Sequence, residues 1–102
     1  MSIYKIYETD SFKKQYDKAD QTEKDWIDQT HRNIEEDPSG KILHFSWFRE
    51  KKYLNKRLYY LVEEEQKKIL LLTYASKKEQ KELIRFIRKN MKALLNYLRS
   101  LR

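Results

Sequence analysis

At 102 residues the chain holds one modest core, and a second independently folding unit would leave both parts too small. Its 39% hydrophobic content is enough to fold and its 38% charged content is far above that of an average soluble domain. The absence of cysteine excludes a disulfide framework and a thiolate metal site. The formal net charge of +7 favours a polyanionic partner, and it is unevenly spread: residues 77–102 hold nine basic and two acidic side chains, residues 20–37 two basic and seven acidic, residues 41–57 six basic and one acidic.

Residues 2–7, β-branched and aromatic and ending at Thr9-Asp10-Ser11, predict a short strand. Asp10 or Ser11 caps a helix with Phe12 and Tyr16 on one face, ending near Ala19. Asp20 or Thr22 opens a second helix whose Trp26, Ile27, Thr30 and Ile34 form one apolar stripe until Pro38-Ser39-Gly40 stops it. Residues 11–37 thus read as a helical hairpin. The period then changes to two, with Leu43, Phe45 and Trp47 on one face of a second strand and His44, Ser46 and Phe48 on the other. Residues 57–62 and 69–74 pair as a further hairpin across the charged turn 63–68, and the unbroken apolar run 69–72 places the last strand centrally in the sheet.

From Ser76 the period returns to 3.6. Leu83, Ile84, Ile87, Met91, Leu94, Leu95, Leu98 and Leu101 line one side of a long basic helix, with Asn90 as the place for a break. The expected class is α+β: a short N-terminal strand, a helical hairpin, a three-stranded antiparallel meander and a long C-terminal helix, in a single domain over 1–102. The first residues lack the apolar core of a secretory signal, and the run 69–72 is far too short to span a bilayer. A cytoplasmic protein with no membrane partner is the expectation.

One glycine cannot build a phosphate-binding loop, there is no thiol nucleophile, and His31 and His44 have no metal-ligand spacing, so neither a metal nor another cofactor is expected. The distinctive feature is Trp47-Phe48-Arg49-Glu50-Lys51-Lys52 followed by Lys56-Arg57-Leu58-Tyr59-Tyr60. On a regular strand Arg49 and Lys51 share a face, and a hairpin return is expected to bring Arg57 beside them, so that three cations meet one phosphate. Trp47, Tyr53 and Tyr59 stand ready to stack on unpaired bases, with Lys52, Lys56, Lys77 and Lys78 completing a cationic rim suited to single-stranded RNA. The competing reading of the same residues is a solvated, charge-rich sheet face whose aromatics are core. The apolar stripe of the last helix is longer than short strands can cover, which leaves part of it to dock another chain.

These residues resemble the RelE/ParE toxin superfamily. The resemblance rests on Pro38-Ser39-Gly40-Lys41, the basic strand from Trp47 to Lys52, Lys56-Arg57-Leu58-Tyr59-Tyr60-Leu61-Val62, a charged turn, an apolar strand and Ser76-Lys77-Lys78-Glu79-Gln80, and it covers roughly residues 2–90. It implies a metal-independent endoribonuclease that cuts messenger RNA on the ribosome by attack of a 2′-hydroxyl on the adjacent phosphate, inhibiting translation. It also implies a cognate antitoxin as protein partner. By the same resemblance Arg57 steadies the pentacovalent phosphate, Arg49 and Lys51 hold or activate the RNA, and Lys78 adds a cation. Some relatives carry a tyrosine or histidine near the place of Ile84. The general base is therefore open among Tyr74, His44 and Glu50, and Glu50 on a regular strand faces away from Arg49 and Lys51. A ParE-like inhibitor that cuts nothing, and a basic RNA-binding module without toxicity, are the alternatives. For the nuclease, Arg57→Ala is expected to abolish activity with little loss of folding.

Overall fold

The computed structural model describes residues 3–102. Strand β1 (Lys5–Glu8) is followed by helices α1 (Asp10–Lys18) and α2 (Gln21–Glu36), then strands β2 (Lys41–Leu43), β3 (Phe45–Tyr53), β4 (Lys56–Glu63) and β5 (Lys68–Ser76). A single 3-10 turn (Lys77–Glu79) leads into α3 (Gln80–Lys89) and α4 (Met91–Ser100). The α+β class is that expected from the sequence, and so is the order, except that the expected second strand is divided into β2 and β3 and the expected last helix into α3 and α4. Residue 2, part of the expected first strand, lies outside the described residues.

Side-chain caps set the helix starts. Thr9, one residue before the two candidates, accepts from the Phe12 N–H and caps α1. Asp20 and Glu23 form a reciprocal capping box on α2. The long last helix is broken at Asn90, whose φ of −116° and ψ of 24° lie outside the helical range.

One five-stranded sheet runs in the order β1-β5-β4-β3-β2, antiparallel throughout except for β1, which lies parallel to β5. Its two faces carry separate apolar clusters. Leu58, Tyr60, Val62, Ile69, Leu71 and Tyr74 face the helical hairpin and pack with Phe12, Ile27 and Ile34; Phe48, Tyr59, Leu61, Leu70 and Leu72 face the C-terminal helices and pack with Ile87 and Leu98. Neighbouring β5 residues thus go to opposite clusters, which is why residues 69–72 are apolar at every position.

The junction of residues 41–48 departs from a regular strand. His44 has φ 61° and separates β2 from β3, and the pairing shifts between Ile42 and Leu43. Phe48, expected opposite Leu43, Phe45 and Trp47, joins their cluster instead. Among the described residues no helix is long and apolar enough to cross a membrane.

Candidate functional site

The β3–β4 hairpin decides which basic residues meet. Its loop is two residues long, Tyr53 pairs with Lys56, and the ladder continues Lys52 with Arg57, Lys51 with Leu58, Glu50 with Tyr59 and Arg49 with Tyr60. Side chains directly opposite in a ladder share a face. Arg57 therefore shares its face with Lys52, Glu50 and Tyr59, whereas Arg49 and Lys51 point to the other face with Tyr60 and Leu58. The expected convergence of Arg49, Lys51 and Arg57 does not occur, because that register puts them on opposite sides of the sheet.

Each displaced side chain has other partners. Arg49 is a clasp: Nε donates to the Ser46 carbonyl (2.9 Å), Nη1 to the Pro38 carbonyl (2.6 Å) and Nη2 to Glu64 Oε1 (3.2 Å). Lys51 reaches Ser39 Oγ at 3.4 Å. Lys56 pairs with Glu23 Oε2 at 3.0 Å and lies over the Tyr74 ring, on the helical-hairpin side. Tyr53 stacks on Trp26, with ring centroids 5.1 Å apart. Tyr59 is fully buried and offers no ring face to a base, which corrects its expected stacking role. Trp47 is half-buried and stacks on Phe45 at 5.0 Å.

What the fold does assemble is a polar cluster under the start of α3. Glu50 and Arg57 are 5% and 8% exposed, and Glu50 Oε2 lies 3.7 Å from Arg57 Nε. Gln80 Nε2 donates to the same carboxylate oxygen at 3.0 Å. Arg57 Nε and the Tyr59 hydroxyl make no hydrogen bond with the described residues. Burial, and then the Glu50 carboxylate, push the Tyr59 phenol up to about 12, so it stays protonated at neutral pH. The exposed Lys52 stands opposite Arg57, and the pairing of Lys56 with Ser76 brings the exposed Lys77 and Lys78 just beyond the same end of the ladder. The sheet thus gathers a carboxylate, a guanidinium with an uncommitted N–H and a protonated phenol inside a lysine rim. Such a set can take a proton, stabilise developing negative charge and donate a proton.

Of the three candidates for general base, Glu50 alone is in this cluster, and it faces away from Arg49 and Lys51 as a regular strand requires. The Tyr74 hydroxyl donates to Glu23 Oε2 at 2.8 Å on the opposite sheet face, and burial raises its pKa. His44 is exposed at the strand junction. Sequence reasoning missed Gln80 as a member of the cluster, and the signal available was its place at the start of α3 directly after β5. Among the described residues no group of His, Asp and Glu has a metal-binding arrangement.

The sequence matches no protein-family model and no curated protein. Solved structures are similar in fold. A mutant of the Escherichia coli toxin RelE in the free state superposes with a TM-score of 0.70 at 16% identity, covering 83% of this chain and 98% of that one. The E. coli RelBE toxin-antitoxin complex gives 0.64 at 17% identity, covering 72% and 95%. The Mycobacterium tuberculosis toxin-antitoxin complex RelBE2 gives 0.60 at 11% identity, covering 74% and 99%. The chain has the RelE toxin fold.

Proposed function

We propose that this chain is the toxin of a type II toxin-antitoxin pair and that it cleaves messenger RNA, on the ribosome, as a metal-independent endoribonuclease centred on Glu50 and Arg57. The observation that carries the reading is the single cluster of Glu50, Arg57 and Tyr59 within a rim of Lys52, Lys77 and Lys78. The fold likeness to toxins solved with their antitoxins supports the toxin reading and a protein antitoxin as partner. The basic C-terminal helices suit a polyanion.

In this mechanism Glu50 accepts the 2′-hydroxyl proton as the 2′-oxygen attacks phosphorus. Arg57, through its free Nε, stabilises the charge gathering on the pentacovalent phosphate. The P–O5′ bond breaks as Tyr59 protonates the departing oxygen, leaving a 2′,3′-cyclic phosphate and a 5′-hydroxyl. Lys52, Lys77 and Lys78 hold the flanking phosphates. Because Glu50, Arg57 and Tyr59 are 5%, 8% and 0% exposed, RNA entry requires the side chains around them to move, and release of the Gln80 hydrogen bond to Glu50 is part of that opening.

A second reading has its own observation: Glu50 already offsets the Arg57 charge at 3.7 Å, which suits a RelE-fold inhibitor that acts by protein contact without cutting. Induced expression of wild type, Glu50→Gln and Arg57→Lys in a bacterial host, with growth curves, mapping of RNA 5′ ends and melting of each purified protein, separates the two. Arrest with new cuts inside translated messages, lost in both folded variants, is the expected result. Arrest with intact RNA and a DNA-damage response favours the second reading, and normal growth with intact RNA overturns both.

A further inference from the structure

Away from the Glu50–Arg57 cluster, at the far end of the β3–β4 ladder, a cavity of about 270 Å³ is lined by Ser46, Trp47, Val62, Glu63, Leu95 and Arg99, with the exposed Glu64, its carboxylate paired to Arg49 at 3.2 Å, at its edge. The Trp47 ring, braced by its stack on Phe45, forms an aromatic wall, and Leu95 supplies apolar surface. Glu63 is the unusual member. Its side chain is 6% exposed; Oε1 accepts the Glu65 backbone N–H at 2.8 Å, which fixes the carboxylate, while Oε2 is buried and accepts no hydrogen bond from the described residues. Among the described residues the one cation within 4 Å of Oε2 is Arg99, whose Nε stands off at 3.5 Å on a side chain 48% exposed. A buried carboxylate oxygen left without a donor is costly, and a half-exposed arginine is a cover that can swing aside.

We infer that this cavity is a subsite for a guanine base of the bound RNA, an inference that rests on the RNA-directed reading above. Stacking on Trp47 accepts any base, whereas a carboxylate selects among them by hydrogen-bond pattern. Guanine alone carries two adjacent N–H donors, N1–H and the N2 amino group, on its Watson–Crick edge. Adenine and cytosine each set a ring acceptor against the carboxylate, and uracil flanks its one N–H with carbonyls. Glu63 therefore takes guanine's two donors, and the displaced Arg99 guanidinium meets a neighbouring phosphate. Trp47 is three residues from Glu50 on the same strand, about 10 Å at strand spacing, so the guanine belongs to a nucleotide close to the one cleaved.

The test uses 2′-O-methyl pentaribonucleotides, which lack the attacking hydroxyl, titrated against the protein by Trp47 fluorescence in a Trp26→Phe background. The oligomer with one guanine among adenines is expected to bind about tenfold tighter than all-adenine, and inosine, without the N2 amino group, to fall between. Glu63→Gln removes the preference, and Trp47→Leu, followed by anisotropy of a 5′-fluorescein-labelled oligomer, weakens both oligomers, with melting curves unchanged. Equal affinity for the guanine and all-adenine oligomers, or a preference that survives Glu63→Gln, overturns the proposal. Saturation by an arginine-rich peptide with no response to guanine also overturns it, in favour of a protein ligand. Guanine binding without RNA cleavage in cells leaves the subsite standing and removes the nuclease reading instead.

Discussion

Arg57 and Glu50 form a buried pair, and a guanidinium taken out of water costs several kcal/mol unless an anion accompanies it. Removing the arginine alone strands the carboxylate, so Arg57→Ala is expected to lower unfolding stability by about 3–5 kcal/mol, against the little loss of folding expected from sequence. Denaturant titration checks this, and Glu50→Leu combined with Arg57→Met is expected to recover most of the loss, because neither charge then remains buried. An unchanged midpoint for Arg57→Ala would show that the pair is looser than its geometry. Gly40 is constrained in another way. A Cβ there lies 2.9 Å from the Glu50 carbonyl oxygen and closer still to the Tyr60 hydroxyl, which donates to the Ser39 carbonyl. Gly40→Ala therefore has to move β3 or break that hydrogen bond, at about 1–3 kcal/mol, and thermal melting should register it as a clear drop in Tm.

Among the elements, the β3–β4 hairpin carries a local conflict at its tip. Leu54 has φ 55° and is 73% exposed, a conformation that favours glycine with a side chain that gains nothing from burial. Leu54→Gly is expected to stabilise the fold by up to about 1 kcal/mol, seen as a Tm a few degrees higher; a lower Tm would mean that the leucine contributes a contact. This turn is also where sequence reading lost the site. Leu54-Asn55 carries neither glycine nor an Asn-Gly pair, so the loop length stayed hidden, and a two-residue loop is what sends Arg57 to the face of Glu50 rather than that of Arg49. The elements themselves were legible wherever a continuous stripe is buried, as in α2 and β5. The 41–48 segment was not, because His44 in a positive-φ conformation resets the alternation that a period of two assumes. At the other side of the hairpin, Glu23 ties the start of α2 to β4 and β5. The hydrogen bond from the Tyr74 hydroxyl, then Lys56, holds the Glu23 carboxyl below its ordinary value of 4.5. A carboxylate favoured in the folded state stabilises above that value, and the gain is lost as pH falls through the lowered folded pKa. Stability measured below about pH 4.5 should therefore decline, less steeply in Glu23→Gln.

At the scale of the molecule the sheet separates two opposite charges. Residues 10–37, the helical hairpin on one face, hold nine acidic and five basic side chains; residues 77–102, the helices on the other, hold two acidic and nine basic. A polyanion approaching this protein is steered to the C-terminal face, whose 3-10 turn joins β5 beside the Glu50–Arg57 cluster. Lys81, Arg85 and Arg88 are exposed on α3 and are not members of the Glu50–Arg57 cluster. Under the proposed RNA-directed function, replacing all three with glutamine should weaken RNA binding and flatten its dependence on salt, because each lost phosphate contact removes a released counterion and lowers the log–log slope by about 0.7 for a single strand. Replacing Lys14, Lys18 and Lys24 on the helical hairpin removes the same charge from the other face and should leave that slope nearly unchanged. Binding titrations between about 50 and 200 mM salt measure both. Equal slopes for the two triple variants would mean that net charge alone, and not its separation across the sheet, governs the encounter.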